Sequence, residues 1–86
     1  MLNVYATNWC PHCKKTVDFL NEKKIKYNYI DMDGTIDQEI LKKVIDVNGG
    51  DDWVVPTLEF RGKWRKGQFF NAAHLFNDLK EMGVIN

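Results

Sequence analysis

The stretch that constrains this chain most is WCPHC, residues 9–13, because of where it falls. Before it, LNVYA (2–6) alternates, with Leu2, Val4 and Ala6 on one side, as a half-buried strand does. After it, PHCKKTVDFLNEKK (11–24) puts Cys13, Val17 and Leu20 on one helical face. Pro11 suits the first turn of that helix, where its missing N–H costs nothing. The only two cysteines of the chain therefore stand where a strand ends and a helix begins. The carboxyl end of a strand is where open α/β sheets usually carry their chemistry.

The rest of the chain extends the pattern. IKYNYIDM (25–32), rich in aromatic and β-branched residues, reads as a second strand. DGT (33–35) turns, and Thr35 with Gln38 predicts a capping box. Ile36, Ile40, Leu41, Val44 and Val47 follow at helical spacing until NGG (48–50) ends the helix. DDW (51–53) reads as a loop, exposed at Asp51 and Asp52, and VVPTLEF (54–60) as a strand with Pro56 at its start or edge. RGK (61–63) turns into a short return strand, WRKG (64–67). Asn71 is a cap for a last helix with Ala72, Leu75, Phe76 and Leu79 inward and Gly83 at its end. The order is β-α-β-α-β-β-α, an α/β fold with a four-stranded mixed sheet and helices on both faces. The first two strands are joined through a helix and should be parallel with a right-handed crossover. The last two, joined by a tight turn, should be antiparallel.

With 86 residues the chain is expected to form one domain, 1–86. Twelve basic residues balance twelve acidic ones, which provides no global attraction to nucleic acid or to an anionic membrane. The local basic run Arg61, Lys63, Arg65 and Lys66 reads as a solvated turn. No basic region followed by an apolar run opens the chain, and no stretch approaches the roughly 18 apolar residues of a membrane span. A cytoplasmic location is the expectation. There a lone disulfide is seldom structural, and a bridge between positions 10 and 13 would constrain little of the unfolded chain.

The helix start distinguishes the two thiols. Cys10, at the N-cap, meets unpaired backbone N–H groups and the positive end of the dipole, which favour its thiolate. Cys13 lies one turn inside and shares a helix face with it. This asymmetry suits thiol–disulfide exchange, in which Cys10 attacks a disulfide sulfur and Cys13 then resolves the mixed disulfide. His12 is either a second donor beside the thiolate, which would make the pair more oxidising than thioredoxin (about −270 mV), or an exposed side chain with no strong coupling. Pro56 leaves two readings. A cis Val55–Pro56 bond opposite Cys10 would present the Val55 backbone to an extended substrate, whereas a trans proline would only block an edge.

Taken together, VYATNWCPHC (4–13), the NGG…VVPT segment (48–57) and KG (66–67) resemble a glutaredoxin, a member of the thioredoxin-fold superfamily. The wording is most similar to the small bacterial subgroup that includes the mycoredoxins. The resemblance covers almost the whole chain. It implies the thioredoxin fold, a nucleophile at Cys10, a resolving thiol at Cys13, and a cis bond at Val55–Pro56. Glutathione-using members commonly carry Gly-Gly-x-Asp-Asp before the last helix, where this chain has Lys66, Gly67, Gln68, Phe69 and Phe70. Many also carry Lys or Arg three residues before the nucleophile, where this chain has Thr7. The N–H groups near Gly67 and Gln68, with Lys14, Arg65 and Lys66, are the remaining candidates for holding a carboxylate.

The resemblance thus implies no tightly bound cofactor and no metal. Glutathione or another small thiol is the expected co-substrate, or thioredoxin reductase the donor, as for glutaredoxin-like proteins that serve ribonucleotide reductase. Disulfide-containing or thiolated proteins are the expected partners, and a monomer the expected state. Two rival classes stand beside this reading. A structural metal site wants four ligands, and Cys10, Cys13, His12 and His74 are the only soft candidates; an iron–sulfur cluster would need a second subunit and glutathione. A binding module would use Trp9, Trp53, Trp64, Phe69 and Phe70 as an apolar rim, although Trp64 and one phenylalanine are expected in the core.

Overall fold

The computed structural model describes residues 1–86. Strand β1 (Leu2–Ala6) leads into helix α1 (Pro11–Glu22), followed by β2 (Tyr27–Asp31), α2 (Gln38–Val47), β3 (Thr57–Phe60), β4 (Lys63–Arg65) and α3 (Ala72–Met82). The order is the one read from the patterning. The sheet runs β2-β1-β3-β4, so β1 lies inside it. β1 and β2 are parallel, with Val4 opposite Tyr29, and β3 and β4 are antiparallel, with Glu59 opposite Trp64. β3 lies antiparallel to β1, with Tyr5 opposite Thr57.

The alternation of β1 sorts the core into two layers. Leu2, Val4 and Ala6 join Leu20 of α1, Leu58, and Leu75, Leu79 and Met82 of α3. Tyr5 points the other way, into a smaller cluster with Met32 and Val44 of α2, and stacks on Trp64 at 5.7 Å between ring centroids. Helices thus cover both faces. Because β1 is buried on both sides, its carboxyl end is fixed in position, and the Cys10–Cys13 segment that follows inherits that rigidity.

Several boundaries differ from the expectations. α2 is capped by Asp37, whose carboxylate accepts from the N–H groups of Glu39 and Ile40 at 2.9 and 3.2 Å. The Thr35–Gln38 capping box does not form, and Ile36 lies before the helix. The strand expected over 54–60 begins only at Thr57, where pairing with β1 starts opposite Tyr5. The return strand is 63–65 rather than 64–67. On α3, Ala72 and Phe76 face solvent, while Leu75, Leu79 and Met82 carry the buried face. Arg65 leaves the solvated run altogether. It is buried, and its Nε donates to Asp78 of α3 at 2.6 Å. Asn71 does cap α3, accepting from the His74 N–H at 3.0 Å, and Gly83 ends it with a positive φ.

Candidate active site

Cys10 is the N-cap residue of α1, extended at φ −84° and ψ 119°, with Pro11 at the first helical position. Its side chain makes no capping hydrogen bond, so the sulfur is free of that duty. Both thiols are free and both are buried, Cys10 to 6% exposure and Cys13 to 1%. Neither thiol is outside, against the expectation for Cys10: both are covered, Cys13 slightly more than Cys10. Burial, above all, pushes the Cys13 thiol up to about 12, and the neighbouring Cys10 adds to the rise. The Thr7 backbone N–H and hydroxyl oppose it. That hydroxyl is itself buried without a well-formed hydrogen bond, so it acts on the sulfur as a nearby dipole. A cleft of ≈ 310 Å³ opens beside Cys13, lined by Thr7, Lys14, Val17, Asp18 and Tyr29 among others.

His12 takes a different part from the donor expected beside the thiolate. Its Nδ1 accepts from the Phe70 N–H at 3.0 Å, and its ring stacks on Phe69 at 4.8 Å. No hydrogen bond joins it to either sulfur. The ring instead fastens the start of α1 to the segment before α3. Trp9 stands 61% exposed, with its indole N–H on Asp33 at 2.7 Å. Phe69 is 80% exposed, whereas Phe70 packs against the core and meets Phe19 edge to face. Trp64 and one phenylalanine, Phe70, pack against the core as expected; of the three aromatics left for a rim, Trp9 and Phe69 are exposed, while Trp53 packs against the Tyr5 cluster.

Pro56 is buried, Val55 is half-buried, and the bond between them is cis. The Val55 N–H and C=O have no partner within the chain. Gly67 and Gln68 lie half-buried after β4. The Gly67 N–H, expected to meet a carboxylate, is already taken by Asn48 Oδ1 at 2.8 Å. Gln68 spends its side chain on the Lys66 carbonyl at 3.4 Å. Arg65, committed to Asp78, is likewise withdrawn from any anion. Lys14 and Lys66 stay exposed.

The sequence marks Asn48 only as part of a helix stop. Its Nδ2 donates to Val44 O at 2.8 Å and to Thr57 Oγ1 at 2.9 Å, and Thr57 Oγ1 donates to Val54 O at 2.6 Å. An asparagine directly before two glycines is a signal only for a helix end, and nothing local marks partners 9 and 19 residues away.

The glutaredoxin family model matches residues 2–64. The chain belongs to the glutaredoxin family. It is 36% identical to Mycoredoxin 1 of Corynebacterium glutamicum over 59 residues, 69% of this chain and 68% of that relative. Among solved structures it is similar to the glutaredoxin grx-1 of Archaeoglobus fulgidus, with a TM-score of 0.67 and 27% identity over 94% of this chain and 83% of the other. A wheat glutaredoxin superposes with a TM-score of 0.65 at 22% identity, over 98% of this chain and 83% of its own, a likeness of fold alone. The glutaredoxin-family protein thus has a thioredoxin-like fold and a mycoredoxin-like sequence, with a glutaredoxin-like redox function. No helix is long and apolar enough to cross a membrane.

Proposed function

We propose that this glutaredoxin-family protein is a thiol–disulfide oxidoreductase acting on mixed disulfides between proteins and a small thiol, and on protein disulfides. The Cys10 thiolate attacks one sulfur of the substrate disulfide, forming a mixed disulfide and releasing the other sulfur as a thiolate that takes up a proton. Cys13 then gives up its proton, attacks Cys10 and releases the reduced substrate, leaving a Cys10–Cys13 disulfide. Two electrons pass from the dithiol to the substrate, and two small thiols or a reductase return them. The observation that carries this reading is the pair itself at the start of α1, with Cys13 pushed up to about 12. A resolving thiol that holds its proton in the reduced state does not compete with Cys10 for the incoming sulfur.

Pro11 shapes the helix start, His12 anchors it to Phe70, and Trp9, Val55, Pro56, Gly67 and Gln68 frame the substrate. The open Val55 N–H and C=O supply main-chain partners for an extended peptide. The occupied Gly67 N–H supports a small thiol other than glutathione as the co-substrate. Reductase-coupled electron donation is the second reading, favoured by the withdrawal of the Gly67 N–H and of Arg65 from any carboxylate. The working form is a cytoplasmic monomer with no tightly bound cofactor.

The test is reduction of a protein carrying a mixed disulfide with a small thiol, with glutathione, another small thiol or thioredoxin reductase supplied separately. Cys10→Ser should lose all turnover. Cys13→Ser should keep turnover on mixed disulfides and lose it on protein disulfides. Turnover by Cys10→Ser would overturn the assignment of roles.

A further inference from the structure

The two segments proposed above to wall the substrate groove flank the β3–β4 hairpin, whose ladder ends at Leu58 opposite Arg65. Val54–Pro56 precede β3, and Gly67 and Gln68 follow β4. Beyond the end of that ladder they are tied by one side chain on a third element. Asn48, the C-cap residue of α2, uses its amide oxygen on the Gly67 N–H and both amide hydrogens on Val44 O and Thr57 Oγ1. The orientation of the amide follows from chemistry, since Gly67 N–H can only donate and Val44 O can only accept. Through the Thr57 hydroxyl the link continues to Val54 O. Hydrogen bonds therefore run in series from Gly67 through Asn48 and Thr57 to Val54. The walls also touch, for a β-carbon on Gly67 would overlap the Val54 side chain and backbone. Close contact fixes their minimum distance, and the amide keeps them from parting.

We propose that Asn48 is the positioning residue of this groove: it sets the geometry in which a thiolated peptide lies beside Cys10, and it withholds the Gly67 N–H from a free carboxylate. This deepens the exchange reading above and rests on the same groove. Asn48 touches neither sulfur, so its removal acts on the placement of the peptide and not on the reactivity of the thiol. A misplacement of about an ångström is enough to slow a reaction at a neighbouring atom by one to two orders of magnitude.

The test is made in a Cys13→Ser background, where reaction stops at the mixed disulfide. One probe is a peptide whose cysteine is joined by a disulfide to thionitrobenzoate. Cys10 attacks the peptide sulfur, and thionitrobenzoate, the better leaving group, departs as a coloured anion. The other probe is the symmetric thionitrobenzoate disulfide, which needs no groove. Asn48→Ala should slow peptide capture about 10-fold and capture of the small reagent less than about 2-fold. Thr57→Val, which keeps the side-chain shape and removes the bridging hydroxyl, should shift the same ratio by a smaller amount, and it decides the matter if Asn48→Ala does not fold. Equal slowing with both probes would reduce Asn48 to a structural residue, and no slowing with the peptide would remove it from the groove. Either result overturns the proposal. Absence of steady-state turnover in the parent protein would defeat the exchange reading alone, because this ratio needs no electron donor.

Discussion

At the scale of single residues, the two thiols are separated by burial more than by distance along the chain. Cys13 is closed in by α1 and β1, and its thiol is pushed up to about 12, so near neutral pH it holds its proton. Cys10 sits at the helix start, less deeply covered. Iodoacetamide reacts with thiolates. At pH 8 it should therefore label Cys10 first, with Cys13 slower by at least about 10-fold, as read by mass spectrometry of the two alkylated positions. Comparable labelling of both would contradict the burial gradient. The candidate site residues were legible to different depths for a physical reason. Cys10, Pro11 and Cys13 declare themselves through local chemistry, because a helix start acts on whatever occupies it. The orientation of His12 did not, because it depends on the Phe70 N–H, 58 residues away. Asn48 was hidden for the same reason.

At the scale of elements, capping shows how local patterns compete. Thr35-x-x-Gln38 matches a capping box, yet Asp37 starts α2, because its carboxylate reaches two orphan N–H groups in a register that follows Ile36 into the Met32–Val44 cluster. Thr35→Ala should then change stability by less than about 0.5 kcal/mol, whereas Asp37→Ala should cost about 1 kcal/mol, both read by urea unfolding. The reverse ranking would restore the capping box. Strand and helix order were readable from period and turn residues, since those signals are local. The ends of β3 and β4 were not, because partners outside each segment decide them, Tyr5 for Thr57 and Leu58 for Arg65, and Arg65 is further tied to α3 by its ion pair with Asp78. That ion pair carries its own expectation. Arg65 is buried with its Nη2 unpartnered, and Asp78 is its only counter-charge in contact. Asp78→Ala should cost on the order of 2 kcal/mol, below the usual figure for a buried pair because Asp78 is partly open to water. Arg65→Met with Asp78→Leu should recover most of that loss in the same unfolding experiment.

At the scale of the whole molecule, three weak acids, Cys13 and Tyr5 in the core and the more exposed Tyr29, shift in one direction. Cys13 is raised by burial and by Cys10, Tyr5 by burial and by Glu59, and Tyr29 by burial and by the charges around Cys13 and Asp31. Each is more easily ionised in the unfolded chain than in the folded one. Between the ordinary values of 9.0 and 10.0 and the raised ones, the folded protein therefore holds protons that the unfolded chain has released. Unfolding then releases protons, and stability falls as pH rises. The contribution of the neutral groups is complete below about pH 9 and is lost progressively toward about pH 12, where Cys13 ionises in place. Urea unfolding of the reduced protein should give a midpoint that declines steadily from pH 9 to pH 11. Cys13→Ala should flatten that decline, and Tyr5→Phe should flatten it further, because each removes one proton from the difference between the two states. A midpoint that stayed level across this range, or an identical slope in Cys13→Ala, would show that the Cys13 sulfur is not held neutral by the fold. The burial that keeps the Cys13 thiol neutral then also contributes, beside Tyr5 and Tyr29, to the alkaline limit of the folded chain.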